Sequence, residues 1–154
     1  MFLTNHAALG IIIGQHISHP AWVIFLSLLS HFLLDIIPHG DSKLESQMKL
    51  KNIILIALAD LVILSLMLLI LIASGTINIF NPNILLGIFF TMLPDGLQLI
   101  YFLSNKKLLV RYKQFHTDIH NYFAQKFDFS LTGGIVLQIF FAGIFYFLIY
   151  HFAV

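Results

Sequence analysis

Four side chains that can bind metal or transfer protons lie in one short stretch, LSHFLLDIIPHGD, residues 29–41. His31 and Asp35 stand inside an apolar run four residues apart, so they share one face if the run is helical. His39 and Asp41 follow beyond a proline. Imidazole and carboxylate groups are ligands for divalent metals and are general acids and bases. The stretch therefore predicts a polar site at the end of an apolar helix.

A second pair of histidines occurs in FHTDIH, where His116 and His120 are also four residues apart. On a helix this spacing allows two imidazoles to bind one metal ion, as in His-x-x-x-His helices. Asp118 lies between them and is a candidate substrate-contacting or supporting residue. If the stretch is instead a solvated polar loop, these residues have no such role.

Three more candidates are isolated in apolar surroundings: His6, Asp60 and Asp95. A carboxylate inside an apolar span is costly and needs a partner, and a metal ion or a histidine would serve. Asp60 alone could equally cap a network between helices. Gln98 follows Asp95 by about one helical turn and can orient it or contact a substrate.

Composition identifies the class of protein that carries these groups. Of the 154 residues, 59% are hydrophobic and 10% are charged, whereas soluble domains average roughly 45–50% and 25%. This composition predicts a membrane protein, with the lipid bilayer as its surroundings. The net charge of +1 gives no indication of a nucleic-acid partner, and the absence of cysteine excludes disulfides and thiolate metal sites.

The elements that must position the candidates are helices. Five apolar segments, each near the length that a bilayer requires, predict an all-α polytopic protein with about five transmembrane helices in one domain covering 1–154. The segments are approximately 2–17, 20–37, 52–73, 84–103 and 131–152. Polar segments at 38–51 and 104–130 separate them. Thr4 or Asn5 is the expected N-cap of the first helix, and Pro94 is expected either to kink or to end the fourth.

The basic residues predict the orientation. Every lysine and the single arginine fall in the connectors after the second and fourth segments. By the positive-inside rule both connectors face the cytoplasm, which places the N-terminus there too. Five of the eight histidines and nearly all aspartates then lie toward the cytoplasmic side, so we expect one site facing the cytoplasm.

This convergence predicts a metal centre. The expected ligands are His6, His31, Asp35, His116 and His120. The expected catalytic acids or bases are Asp41, Asp60 and Asp95, and the expected substrate-contacting or supporting residues are His39, Gln98 and Asp118. Histidine and aspartate without cysteine suit Zn²⁺ first, with Mn²⁺ or Fe²⁺ as alternatives, as one or two ions. The corresponding chemistry is hydrolysis by an activated water.

The motifs TNHAALG, LSHFLLDIIPHGD and LPDG resemble those of the membrane-bound metal-dependent hydrolases, small bacterial inner-membrane proteins. The resemblance covers roughly the first 100 residues. It implies a metal-dependent hydrolase, a phosphoesterase that acts on a lipid or lipid-linked phosphate at the inner membrane. His6, His31 and Asp35 carry the resemblance, together with His39, Asp41 and Asp95.

Two other classes of function use the same residue types. A transporter or channel for protons or divalent metal would use the side chains as a relay, and an assembly subunit would use them as a stable polar core without turnover. The outer half of the protein offers only His16, His19 and His151, which disfavours a transport path through both leaflets. The substrate and the oligomeric state stay open at this point.

Overall fold

The computed structural model describes residues 1–39, 50–127 and 130–153, and the regular secondary structure within these ranges is entirely helical. The helices in chain order are α1 (Leu3–His16), α2 (Pro20–Ile36), α3 (Leu50–Ala73), α4 (Pro82–Leu103), α5 (Val110–Phe127) and α6 (Leu131–His151). The all-α prediction is confirmed, and each predicted apolar segment coincides with one helix to within two residues at either end. The fifth helix, α5, forms in the polar segment that carries FHTDIH.

Three of the described helices are long and apolar enough to cross a membrane, namely α3 from Ile54, α4, and α6 from Thr132. By length and composition these helices indicate a membrane protein, and among the described residues they are fewer than the five spans predicted. The other two apolar segments form shorter helices, α1 of 14 residues and α2 of 17. At 1.5 Å per residue they extend about 21 and about 26 Å, against a hydrocarbon core of about 30 Å.

Helix α1 lies at the centre of the bundle, in contact with α2, α3, α4 and α6. Its residues 4–8 are all buried, so it has no face directed at solvent or lipid in this stretch. Gly10 allows the closest approach, because a Cβ added there would lie 2.5 Å from the Gly87 carbonyl oxygen of α4. Such small residues are what membrane helices use to bring their backbones together. Gly10 therefore accommodates a neighbouring helix.

The start of α1 differs from the prediction. The helix begins at Leu3, which places Thr4 and Asn5 inside its first turn, so neither is the N-cap. The N-cap is Phe2, whose apolar side chain cannot accept a hydrogen bond. Asp60 of α3 takes over this role, since its carboxylate accepts the backbone N–H groups of Leu3 and Thr4.

Two prolines that stand in similar sequence contexts behave differently. Helix α2 ends at Ile36, before Pro38, and Ile37 is extended as expected for a residue that precedes proline. Helix α4 continues through Pro94 to Leu103. Pro94 therefore interrupts the hydrogen bonding within a continuous helix and does not end it.

Helix α2 shows the polarity that a membrane imposes. Its buried face carries polar residues, among them Ser27, His31 and Asp35. Its outer face carries large apolar side chains that are more than half exposed, such as Trp22 and Phe25. Polar groups directed inward and apolar groups outward are the arrangement expected when the surroundings are lipid.

Candidate metal centre

Four groups from three helices converge at one end of the bundle. His31 and Asp35 come from α2, Asp95 from α4 and His116 from α5, and one ligand atom of each lies within 4.8 Å of the others. The side chains of His31, Asp35 and His116 are at most 2% exposed, whereas Asp95 is 21% exposed. Asp95 therefore marks the accessible side of an otherwise buried group.

Four of the distances between the donor atoms are close to those around a shared ion. Nε2 of His31 lies 3.1 Å from Oδ2 of Asp35 and 3.1 Å from Nε2 of His116. Nε2 of His116 lies 3.4 Å from Oδ2 of Asp35 and 3.7 Å from Oδ1 of Asp95. Ligands held 2.0–2.1 Å from a tetrahedral ion are separated from each other by roughly 3.3 Å. The spacing thus suits one divalent ion among the four groups.

The orientation of His31 is set by a backbone group. Its Nδ1 lies 2.7 Å from the carbonyl oxygen of Thr91, and only a donor can bond to a carbonyl, so Nδ1 carries the proton. A neutral His31 then presents the lone pair of Nε2 to the cluster. Metal-binding histidines are commonly held in this way by a carbonyl on the other ring nitrogen. Thr91 is not among the predicted site residues, and its only signal in the sequence is its place three residues before Pro94.

Two further features of this group favour a cation. Burial lowers the pKa of His116 to about 3, so its imidazole is neutral and able to bind metal at neutral pH. Oδ2 of Asp35 is buried and makes no hydrogen bond of good geometry, although two imidazole nitrogens lie within 3.4 Å of it. A buried carboxylate of this kind is stabilised by positive charge, which the amino group of Met1 supplies at Oδ1 and a cation would supply at Oδ2.

His6 of α1 lies against the same group. Its Nε2 is 3.2 Å from Oδ1 of Asp35 and 3.8 Å from Oδ2 of Asp95, and its ring stacks on His31 with centroids 4.2 Å apart. The Nδ1 atom of His6 has no hydrogen-bond partner, and the side chain is fully buried. The amino group of Met1 also donates to Oδ1 of Asp35, at 2.7 Å.

A second group of potential ligands adjoins the first. Asp35, His39 and His120 place one ligand atom each within 4.8 Å of one another, and all three are buried. The Nδ1 atom of His39 donates to the carbonyl oxygen of Ile37 at 2.6 Å. The rings of His39 and His120 meet edge to face with centroids 4.6 Å apart. Buried His/Asp clusters that could hold metal are therefore present, as predicted.

Several predicted site residues lie elsewhere. Asp60 is occupied at the start of α1, where Thr4 Oγ1 also donates to its Oδ1 at 2.5 Å, and it belongs to neither group of potential ligands. Asp118 is exposed and accepts a hydrogen bond from Gln114 at 2.9 Å, on the far face of α5 from His116.

Gln98 and Asp41 complete the set of predicted residues. Gln98 lies one turn beyond Asp95, and its Oε1 accepts a hydrogen bond from Nζ of Lys113 in α5. It therefore joins α4 to α5 beside the cluster. Asp41 lies outside the described residues, as does most of the polar segment at 38–51.

No protein-family model, no curated protein and no solved structure matches this chain. The interpretation of the centre consequently depends on the geometry of its own residues.

Proposed function

We propose that this chain is an integral membrane metal-dependent hydrolase that cleaves a phosphate ester of a lipid or lipid-linked substrate. The convergence of donor atoms from His31, Asp35, Asp95 and His116 is the observation that carries the proposal. Two imidazoles and two carboxylates, with no thiolate, favour Zn²⁺, with Mn²⁺ or Fe²⁺ as alternatives. A bound divalent ion would supply a Lewis acid and a water of lowered pKa.

The residues around the ligands have separate tasks in this proposal. Thr91 holds the ring of His31 through its carbonyl oxygen and so keeps the ligand nitrogen directed at Asp35. His6 lies beside the group with its Nε2 3.2 Å from Oδ1 of Asp35, which places it to act as a further ligand or as a proton acceptor. Asp95, as the most accessible member, lies where a substrate would arrive.

Fixed positive charge beside the centre supports an anionic substrate. Nζ of Lys113 lies on α5 one turn before His116 and is joined to Gln98 next to Asp95. Lys106, Lys107 and Arg111 are exposed near the start of the same helix. Cations in this position attract phosphate groups, whether on a substrate or on the surrounding lipid.

We place the centre at the cytoplasmic leaflet of a bacterial-type inner membrane, with α1 and α2 as additional crossings. Helix α1 is surrounded by four other helices, so it need not match the thickness of the lipid as an exposed span must. The confinement of lysine and arginine to two connectors supports this orientation. The opposite end of the bundle carries only the exposed His16, His19 and His151 among the described histidines, which favours a hydrolase over a transporter.

The test is phosphate release by the purified full chain in detergent micelles. Lipid phosphate monoesters and polyprenyl phosphates serve as substrates, with Zn²⁺ or Mn²⁺ added to a chelator-treated sample. We expect turnover that is lost in His31→Ala and retained in Asp118→Asn, the matched change on the outer face of α5. Metal-dependent flux into proteoliposomes without product release would instead identify a transporter, and bound metal without either activity would identify an assembly subunit.

A further inference from the structure

We propose that the centre holds two divalent ions and that Asp35 is the carboxylate shared between them. This inference rests on the proposed metal centre and extends it. Its starting observation is that the two groups of potential ligands, His31–Asp35–Asp95–His116 and Asp35–His39–His120, have one member in common. A carboxylate has two oxygens and can bridge two ions, which in two-metal hydrolases lie about 3.5–4 Å apart.

Helix α5 contributes one ligand to each group. His116 belongs to the first and His120 to the second, and their rings are inclined by 29° with centroids 6.2 Å apart. The i,i+4 spacing therefore serves two neighbouring ions in this chain, where the same spacing in a His-x-x-x-His helix would serve one. Helix α2 and the residues just beyond it supply the facing ligands, including the shared Asp35.

The histidines facing α5 are held in the same way in the two groups. His31 donates from Nδ1 to the carbonyl oxygen of Thr91, and His39 donates from Nδ1 to the carbonyl oxygen of Ile37. In the neutral form each ring then carries its lone pair on Nε2. A backbone carbonyl on the second nitrogen is the usual support of a metal-binding histidine. Its repetition indicates that both groups are built to bind metal.

The charge of the ligands indicates what a two-ion centre would recognise. The two groups contain two carboxylates, Asp35 and Asp95, and otherwise neutral imidazoles. These two carboxylates would neutralise one divalent ion, whereas two ions would leave a net charge of about +2, to which the amino group of Met1 on Oδ1 of Asp35 adds. A dianionic phosphate monoester compensates that charge, so the second ion provides affinity for the phosphate group itself.

Metal content of the purified full chain tests the proposal. After removal of metal with a chelator and loading with Mn²⁺, we expect two ions per chain in the unaltered protein, one in His39→Ala and in His120→Ala, and two in the control Asp118→Asn. Inorganic phosphate should bind the two-ion protein at least tenfold more tightly than the His120→Ala protein.

Electron paramagnetic resonance of the unaltered Mn²⁺-loaded protein tests whether two ions are close together. This measurement needs no variant, so it stays informative if the His120→Ala chain fails to fold. Exchange coupling between two Mn²⁺ ions supports the shared Asp35. One ion per chain with the spectrum of isolated Mn²⁺ would overturn the second site and leave the proposed hydrolase intact. No bound ion in the unaltered protein would overturn both proposals.

Discussion

Oδ2 of Asp35 lies 3.1 Å from Nε2 of His31, an ion-pair contact that lacks the geometry of a good hydrogen bond. The two residues are one helical turn apart on α2, and His31 uses its other nitrogen to bond Thr91. A carboxylate oxygen and an imidazole nitrogen repel at this distance when both present lone pairs. A second proton on His31 or a divalent cation between the two atoms removes that repulsion, and the predictions on metal binding test the cation.

Replacing His31 by alanine is expected to lower metal affinity by at least about 100-fold. The change removes a ligand outright, and loss of a supporting hydrogen bond alone already costs about 10–100-fold. Competition with a chromophoric chelator measures the affinity. His16→Ala is the control, because His16 is exposed at the opposite end of α1. Equal affinities in the two variants would exclude His31 as a ligand.

Removing metal from the folded protein is expected to lower its thermal stability. An ion that binds only the folded state stabilises it by about 2.7 kcal/mol when its concentration is 100 times the dissociation constant. Thermal unfolding in detergent, with chelator or with added Zn²⁺, measures the difference. The Asp35→Ala chain should show no such dependence on Zn²⁺, and a dependence that persists would place the ion elsewhere.

Asp60→Ala is expected to destabilise the protein by about 1–2 kcal/mol, the usual cost of losing a helix cap, while metal content stays unchanged. The reason is that the Asp60 carboxylate accepts the first backbone N–H groups of α1 and lies outside both groups of potential ligands. Thermal unfolding and metal analysis provide the two readouts, with Asp118→Ala as the control. Loss of metal at unchanged stability would instead make Asp60 a member of the centre.

Gly10→Ala is expected to lower the free energy of unfolding by about 1–3 kcal/mol, the range for overpacking a close contact. The added Cβ would lie 2.6 Å from Oγ1 of Thr91 as well as against Gly87, so the change also disturbs the turn that supports His31. Gly143→Ala in α6 is the matched control, since a Cβ there meets nothing within 4 Å. Thermal unfolding compares the two, and similar stabilities would contradict the close packing of α1 on α4.

Local sequence patterns determined the positions of the helices and the faces on which the paired site residues lie. The apolar runs define the helices because a chain in lipid must satisfy its backbone hydrogen bonds internally. The four-residue spacings of His31 with Asp35 and of His116 with His120 place each pair on one helix face, and the structure buries both faces. These features depend on contacts within one helix, which the order of residues specifies directly.

Only the tertiary structure distinguished Asp60 from Asp95. Both are single carboxylates in apolar segments, and nothing in the neighbouring residues separates a helix cap from a potential ligand. The rotation of α3 and α4 against α1 decides which aspartate is the cap and which is the potential ligand. Packing turns Asp60 toward the backbone of Leu3 and Asp95 toward His116. The same packing selects the carbonyl of Thr91 as the support of His31. Periodicity along one helix carries no information on how that helix is rotated against its neighbours, and the centre depends on that rotation.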